Sequence, residues 1–241
     1  MRRTAAGLAA LAVGVAGCGD DSEPAPSADD RGAGVGALGG AARVETLAKT
    51  RLARPPEGEL VWVADEYRLA PGERVVHAHE PAFAYVRRGS LSGQERAAAF
   101  VRADARHTHS AGDEGAVVWE IRLAPPGSKA PEGSTRRVFE SEPLEGVPAP
   151  AEVSFLTVTV PPRGGSTTVH SHPGPELIYQ VSGRIDYQNA IVGTKRLGPG
   201  GLEGIPPDTA VQKRNPYARP ATFLSWFLVD PDAPFAPRAT F

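Results

Sequence analysis

The sequence holds one cysteine and one methionine in 241 residues. A single thiol excludes an intrachain disulfide, a Cys-cluster zinc site and an iron–sulfur cluster held by one chain. Aromatic residues are scarce, at 7%. An excess of one charge is lacking too: 26 Lys and Arg stand against 28 Asp and Glu, which excludes a general attraction to nucleic acid. No uncharged apolar run reaches the roughly 20 residues that a membrane-spanning helix needs. No Gly-rich phosphate loop and no Ser nucleophile elbow is present. What abounds is punctuation, with 27 glycines and 24 prolines. These break long helices and favour short strands joined by turns, so a helical bundle is excluded. With 41% hydrophobic and 22% charged residues, the composition is that of a folded domain.

The amino terminus reads as an address. Met1-Arg2-Arg3 is followed by a small, uncharged, apolar segment from Thr4 to Gly17, the size of a signal-peptide core. It ends in Val15-Ala16-Gly17-Cys18, which resembles a bacterial lipobox. The resemblance implies cleavage before Cys18, the only thiol, and its lipidation. The protein is then anchored to the cell membrane by acyl chains alone, facing the periplasm or the exterior. Gly19 to Ala42, rich in Gly, Ala, Asp, Ser and Pro without aromatics, reads as a flexible tether. The expected organisation is a signal peptide at 1–17, a tether at 18–45, a first domain at 46–134 and a second at 135–241.

Past Glu59 the texture is β. Leu60-Val61-Trp62-Val63, Arg74-Val75-Val76-His77, Ala84-Tyr85-Val86, Val153 to Val160, and Leu177 to Val181 are short β-favouring runs. Val158 and Val160 alternate with Thr157 and Thr159, the period of a half-buried strand. Arg43 to Lys49 is the one segment that suits a short helix. The two halves also repeat each other. Leu69-Ala70-Pro71-Gly72, His77-Ala78-His79 and Tyr85-Val86-Arg87-Arg88-Gly89 return as Pro161-Pro162-Arg163-Gly164, His170-Ser171-His172 and Tyr179-Gln180-Val181-Ser182-Gly183. This is the signature of a duplicated all-β unit, joined at the Pro/Gly/Ser-rich stretch from Ala124 to Ser134.

Gly164-x5-His170-x-His172-x3-Glu176-x6-Gly183 is similar to the first motif of the cupin superfamily. Residues i and i+2 of a strand share a face, so two such imidazoles aim one way and a nearby carboxylate can meet them. Two His and one Glu suit a divalent transition metal with open positions. The superfamily's second motif has a counterpart in Gly200, Pro206, Asp208 and Asn215, but Val211 stands where a fourth ligand His is usual. In the first half the Glu slot is vacant, flanked by Ala82 and Phe83, while His107 stands where the second half has Val211. The ligands implied there are His77, His79 and His107, with His109 on the same face as His107 if that segment is a strand. Each cluster has a plain alternative, in which the histidines pack and hydrogen-bond without metal.

All six histidines, His77, His79, His107, His109, His170 and His172, fall at or beside cupin ligand slots. The resemblance covers residues 59 to 241. It implies two tandem cupin-type jelly-roll β-barrels, each with a ligand pocket at its mouth. It further implies iron, manganese or zinc as cofactor and a small oxygen-bearing substrate, handled by a dioxygenase- or decarboxylase-like enzyme. The alternative is a non-catalytic cupin module that binds a small ligand.

Overall fold

The computed structural model describes residues 38–103 and 106–241. Cys18 and the segment expected to be a signal peptide lie outside the described residues. Every regular element described is a β-strand, so the all-β expectation holds. In the first half these are β1 (Arg43–Leu52), β2 (Val61–Leu69), β3 (Arg74–His77), β4 (Ala82–Leu91), β5 (Ala98–Val101), β6 (His107–Ala124) and β7 (Arg136–Glu140). The second half follows with β8 (Ala151–Val160), β9 (Gly165–Ser166), β10 (Glu176–Ser182), β11 (Ile185–Asn189), β12 (Gly193–Leu197), β13 (Leu202–Ile205), β14 (Val211–Asn215) and β15 (Ala221–Val229).

Three antiparallel sheets stack. A five-stranded sheet in the order β1-β8-β15-β10-β13 lies between a four-stranded sheet, β12-β11-β14-β9, and a sheet ordered β5-β4-β6-β2-β7. Leu156, Val158, Phe223 and Phe227 point from the middle sheet toward Tyr187 and Val211 and form the core of the second half. Their neighbours Phe155, Leu224 and Trp226 point the other way and meet Trp62, Phe83 and Trp119 of the first half. The middle sheet is thus buried on both faces, which is why β15 is apolar on both faces, apart from Thr222 and Ser225, rather than alternating. All three tryptophans are buried in this second layer, as apolar strand runs predict.

β1 corrects two expectations. Arg43 to Lys49 is strand, not helix, and it pairs with β8 of the second half from Arg43↔Thr159 to Leu52↔Ala151. A bulge between Thr46 and Ala48 turns both Leu47 and Ala48 toward the inter-half core, while Val44 faces the other side. Burial at Val44, Leu47 and Ala48 imitates the spacing of a helical stripe. The bulge is the cause, because it breaks the two-residue period. Leu38 is buried in the second-half core, and the Ala41 N–H donates to the Ser166 carbonyl. The last residues of the expected tether are therefore structural, held by the one large apolar side chain near its end. At the other boundary, β7 still pairs with β2 of the first sheet, so the chain crosses over after Glu140.

The repeated glycines have a shared cause. Gly89 and Gly183 both adopt left-handed backbone, with φ of 71° and 68°. A Cβ would stand 2.0 Å from the Gly115 carbonyl oxygen at Gly89 and 2.3 Å from that of Pro220 at Gly183. Only glycine fits there. Gly183→Ala should lower stability by about 2 kcal/mol, from backbone strain alone. The urea midpoint reports it, and a loss below about 0.5 kcal/mol would contradict the close approach.

Candidate metal centre

β6 builds the first cluster. Its opening residues, His107 to Ser110, pair with β3, whereas Ala116 to Ala124 pair with β2 and β4. Gly112 and Gly115 lie between these arms, and Gly115 is left-handed at φ 74°. The strand changes direction there and brings His107 and His109 over Glu120 near its own far end. His77 ends β3, directly paired with His107, and His79 follows two residues on, outside the strand. The expected trio His77, His79 and His107 does converge. Glu120 is the residue that sequence reasoning missed.

Four imidazole Nε2 atoms surround one carboxylate oxygen. Glu120 Oε2 lies 2.6 Å from His77, 3.1 Å from His109, 3.3 Å from His79 and 3.4 Å from His107. Burial alone would raise the Glu120 pKa, but hydrogen bonding from His107, His109 and His77 outweighs it and holds the carboxyl far below its usual range. The His79 tautomer is decided by its other nitrogen. Nδ1 contacts the Glu80 carbonyl oxygen, which can only accept, so Nδ1 carries the proton and Nε2 presents a lone pair. That lone pair meets Glu120 Oε2 and sits 3.3 Å from His107 Nε2. Desolvation keeps the His79 pKa below its ordinary value, against the pull of Glu120, so the ring stays neutral. A neutral imidazole lone pair set against a carboxylate, in a dry interior, calls for a cation between them. His77, His79, His107 and Glu120 fit a divalent metal by this test.

The site is reachable. A cleft of about 590 Å³ is lined by His107 and His109 together with Lys49, Gln94, Arg96 and Phe100. A second, of about 390 Å³, reaches His79 past Glu80, Arg122 and Lys129. Arg122 anchors the rim: its Nη1 donates to Glu80 (2.7 Å), and its Nη2 to buried Asp65 (2.8 Å) and to the Lys129 carbonyl (3.0 Å).

The second cluster unites His170, His172 and Glu176 as the motif predicts. Nδ1 of His170 donates to the Thr168 carbonyl at 2.9 Å, and Nδ1 of His172 to that of Phe235 at 2.7 Å. Both Nε2 atoms present lone pairs with no hydrogen-bond partner among the described residues, and that of His172 faces Glu176 Oε2 at 3.4 Å. Here, however, Lys213 enters from β14 and places its ammonium 2.8 Å from Glu176 Oε2, while Ser225 Oγ takes Oε1 at 2.5 Å. Each oxygen of the carboxylate already accepts a hydrogen bond, one of them from a buried side-chain amine. The cluster does not fit a metal while Lys213 holds this position.

No protein-family model matches the chain, and no curated protein matches it. Solved structures with a related backbone include the DMSP lyase DddQ from Ruegeria pomeroyi DSS-3, at 25% identity and a TM-score of 0.31 over 34% of this chain and 40% of that one. Another is a cupin-like protein from Thermotoga maritima MSB8, at 24% and 0.29 over 31% and 56%. A third is oxalate decarboxylase from Bacillus subtilis, at 19% and 0.49 over 80% and 72%. The chain spans less than two thirds of the length of the first two.

The second cluster also sets an acid limit. Burial, reinforced by the Lys213 charge, pushes His170 and His172 down to about 3, against about 6.5 in an unfolded chain. As pH falls below 6.5 the unfolded state takes up protons that the folded state refuses. Stability of the metal-free protein should therefore be full above about pH 6.5 and drop continuously toward pH 3, by up to roughly 1.4 kcal/mol per pH unit for each histidine. Urea midpoints at pH 7, 6 and 5 test this; a flat profile would mean that the rings are not held neutral.

Proposed function

We propose that the chain is a lipid-anchored, two-unit cupin whose first half holds a divalent transition metal (iron, manganese or zinc). It uses that metal on a small oxygen-bearing molecule, as an oxidoreductase or decarboxylase-type enzyme. The observation that carries the reading is the convergence of four Nε2 atoms on Glu120 Oε2, open to two clefts. A divalent ion held by His77, His79, His107 and Glu120 supplies a Lewis acid for a bound oxygen or water. The chain does the rest. Glu80 orients His79 through its carbonyl, and Arg122 pins Glu80 through its side chain. Tyr67 stacks on His77 at 5.1 Å between ring centroids and fixes its plane. The wider cleft carries charges of both signs, Lys49 and Arg96 against Glu95, with Lys49 paired to Glu152 at 2.6 Å, which suits a small, strongly polar substrate.

Metal content of the full chain, purified without chelating resin, tests the centre. One equivalent is expected, lost in His79→Ala and kept in His170→Ala. Absence of metal after reconstitution with iron, manganese and zinc, or loss in His170→Ala alone, would overturn it. The anchor is tested separately by fatty-acid labelling in the native host, which Cys18→Ser should abolish.

A further inference from the structure

We infer that Lys213 is a built-in cation that takes the place of a metal in the second half, so that His170, His172 and Glu176 form a closed structural cluster rather than a second metal centre. This goes beyond the proposed function and does not depend on it.

The strand pairing makes the substitution explicit. His77 pairs with His107 in one half, and His170 bridges to Val211 in the other, so His107 and Val211 occupy equivalent places. Two residues further along the same strands stand His109 and Lys213. His109 puts Nε2 3.1 Å from Glu120 Oε2, and Lys213 puts Nζ 2.8 Å from Glu176 Oε2. The carboxylates have changed strands. Ala84 pairs with Glu120 across β4 and β6, as Ile178 pairs with Ser225 across β10 and β15; Ala82 pairs with Arg122, as Glu176 pairs with Phe227. Each half therefore keeps one carboxylate at its centre. In the first it faces four imidazoles and no fixed cation nearer than the Arg122 Nε, 4.0 Å from Oε1. In the second it faces two imidazoles and a tethered ammonium.

Charge balance and access agree. His170, His172, Glu176 and Lys213 are 0%, 2%, 0% and 0% exposed. Lys213 Nζ and Ser225 Oγ each donate to one oxygen of Glu176; burial pulls the Lys213 pKa below its ordinary value, and the charge and hydrogen bond of Glu176 oppose that pull. A divalent ion entering here would have to displace an ammonium that has no exit to solvent, from a carboxylate it needs for itself. A metal and Lys213 at one carboxylate would also repel. The free lone pairs of His170 and His172 show what remains of a metal cradle once the lysine is in place.

Zinc(II) and manganese(II) are the probes, and the full chain carrying His77→Ala, His79→Ala and Glu120→Gln is the background, so the first half keeps neither its carboxylate nor its His pair. Equilibrium dialysis followed by metal analysis should find no bound equivalent. Adding Lys213→Met should create one, with a metal-dependent rise in melting temperature, and adding Glu176→Ala to that variant should remove it again. If Lys213→Met does not fold, Lys213→His, which copies His109, carries the same comparison. A tight equivalent in the background, removed by His170→Ala, would overturn the inference, because the lysine would not be closing the site. So would failure of both lysine variants to bind or be rescued by either metal. Neither outcome touches the first-half centre, which fails if the wild-type chain holds no metal or loses it in His170→Ala alone.

Discussion

Glu120→Gln is expected to strip the metal from the first half while leaving the fold in place. Glutamine keeps the shape of the side chain, which is wholly buried between β2 and β4. It removes the only charge that a divalent ion could neutralise at the point where four imidazoles meet. Loss of a partner that merely orients a ligand typically costs 10- to 100-fold in affinity, and loss of a direct anionic ligand should exceed about 100-fold. Competition with a chelator of known affinity measures the change. A drop of about 10- to 100-fold would mean that Glu120 only orients the histidines, and a smaller one that the histidines alone define the site. The two halves also suggest a rescue. Glu120→Ser combined with Ala82→Glu copies the second-half arrangement of Ser225 and Glu176, and should restore part of the affinity by returning the carboxylate to the strand after the His pair.

Arg122→Met should produce the largest loss of stability, about 3 kcal/mol. Removing one partner of a buried ion pair strands the other, at a typical cost of about 3–5 kcal/mol. Asp65 is fully buried and would keep only Arg137, whose Nε donates to it at 2.7 Å, so the lower end applies. Glu80 is a third exposed and can rehydrate. Its release has a second effect, because the Glu80 carbonyl orients His79. The variant should therefore weaken metal binding as well as unfold at lower urea. Adding Asp65→Asn should recover part of the stability, since it removes the stranded charge. Additive losses in the double variant would show that the two side chains do not act as a pair.

The histidine spacing, the paired glycines and the β texture were readable because each follows from a local rule. A strand alternates, a left-handed turn excludes Cβ, and two imidazoles two residues apart share a face. Glu120 obeys no local rule visible from the His pair. It lies within Val117-Val118-Trp119-Glu120-Ile121, a run that reads as core, and it reaches the site only because β6 turns at Gly112 and Gly115. A signal was present nonetheless. Glu120 and Arg122 are charged residues alternating with Trp119, Ile121 and Leu123, and a carboxylate embedded in such a strand must find a cationic or donor partner inside. Lys213 was missed for the same reason. Between Gln212 and Arg214 it reads as solvated surface, and only the pairing of β14 with β11 turns it inward. Two adjacent arginines look like solvated surface in a sequence, yet Arg136 and Arg137 hold the buried carboxylates Glu66 and Asp65. The helix expected over Arg43 to Lys49 failed because one bulge counterfeits a helical period.

The exchange of β1 into the other half has a consequence for how the chain comes into being. β1 leaves the ribosome before any other described strand, yet β8, the strand it pairs with among the described residues, is made about a hundred residues later. At roughly 5–20 residues per second, the first strand waits on the order of ten seconds with its hydrogen bonds unmet. The apolar layer that should seat the first-half sheet is missing for the same interval. The layer between the two halves cannot close until β8 is made, so their packing is a late event, dominated by contacts between distant residues.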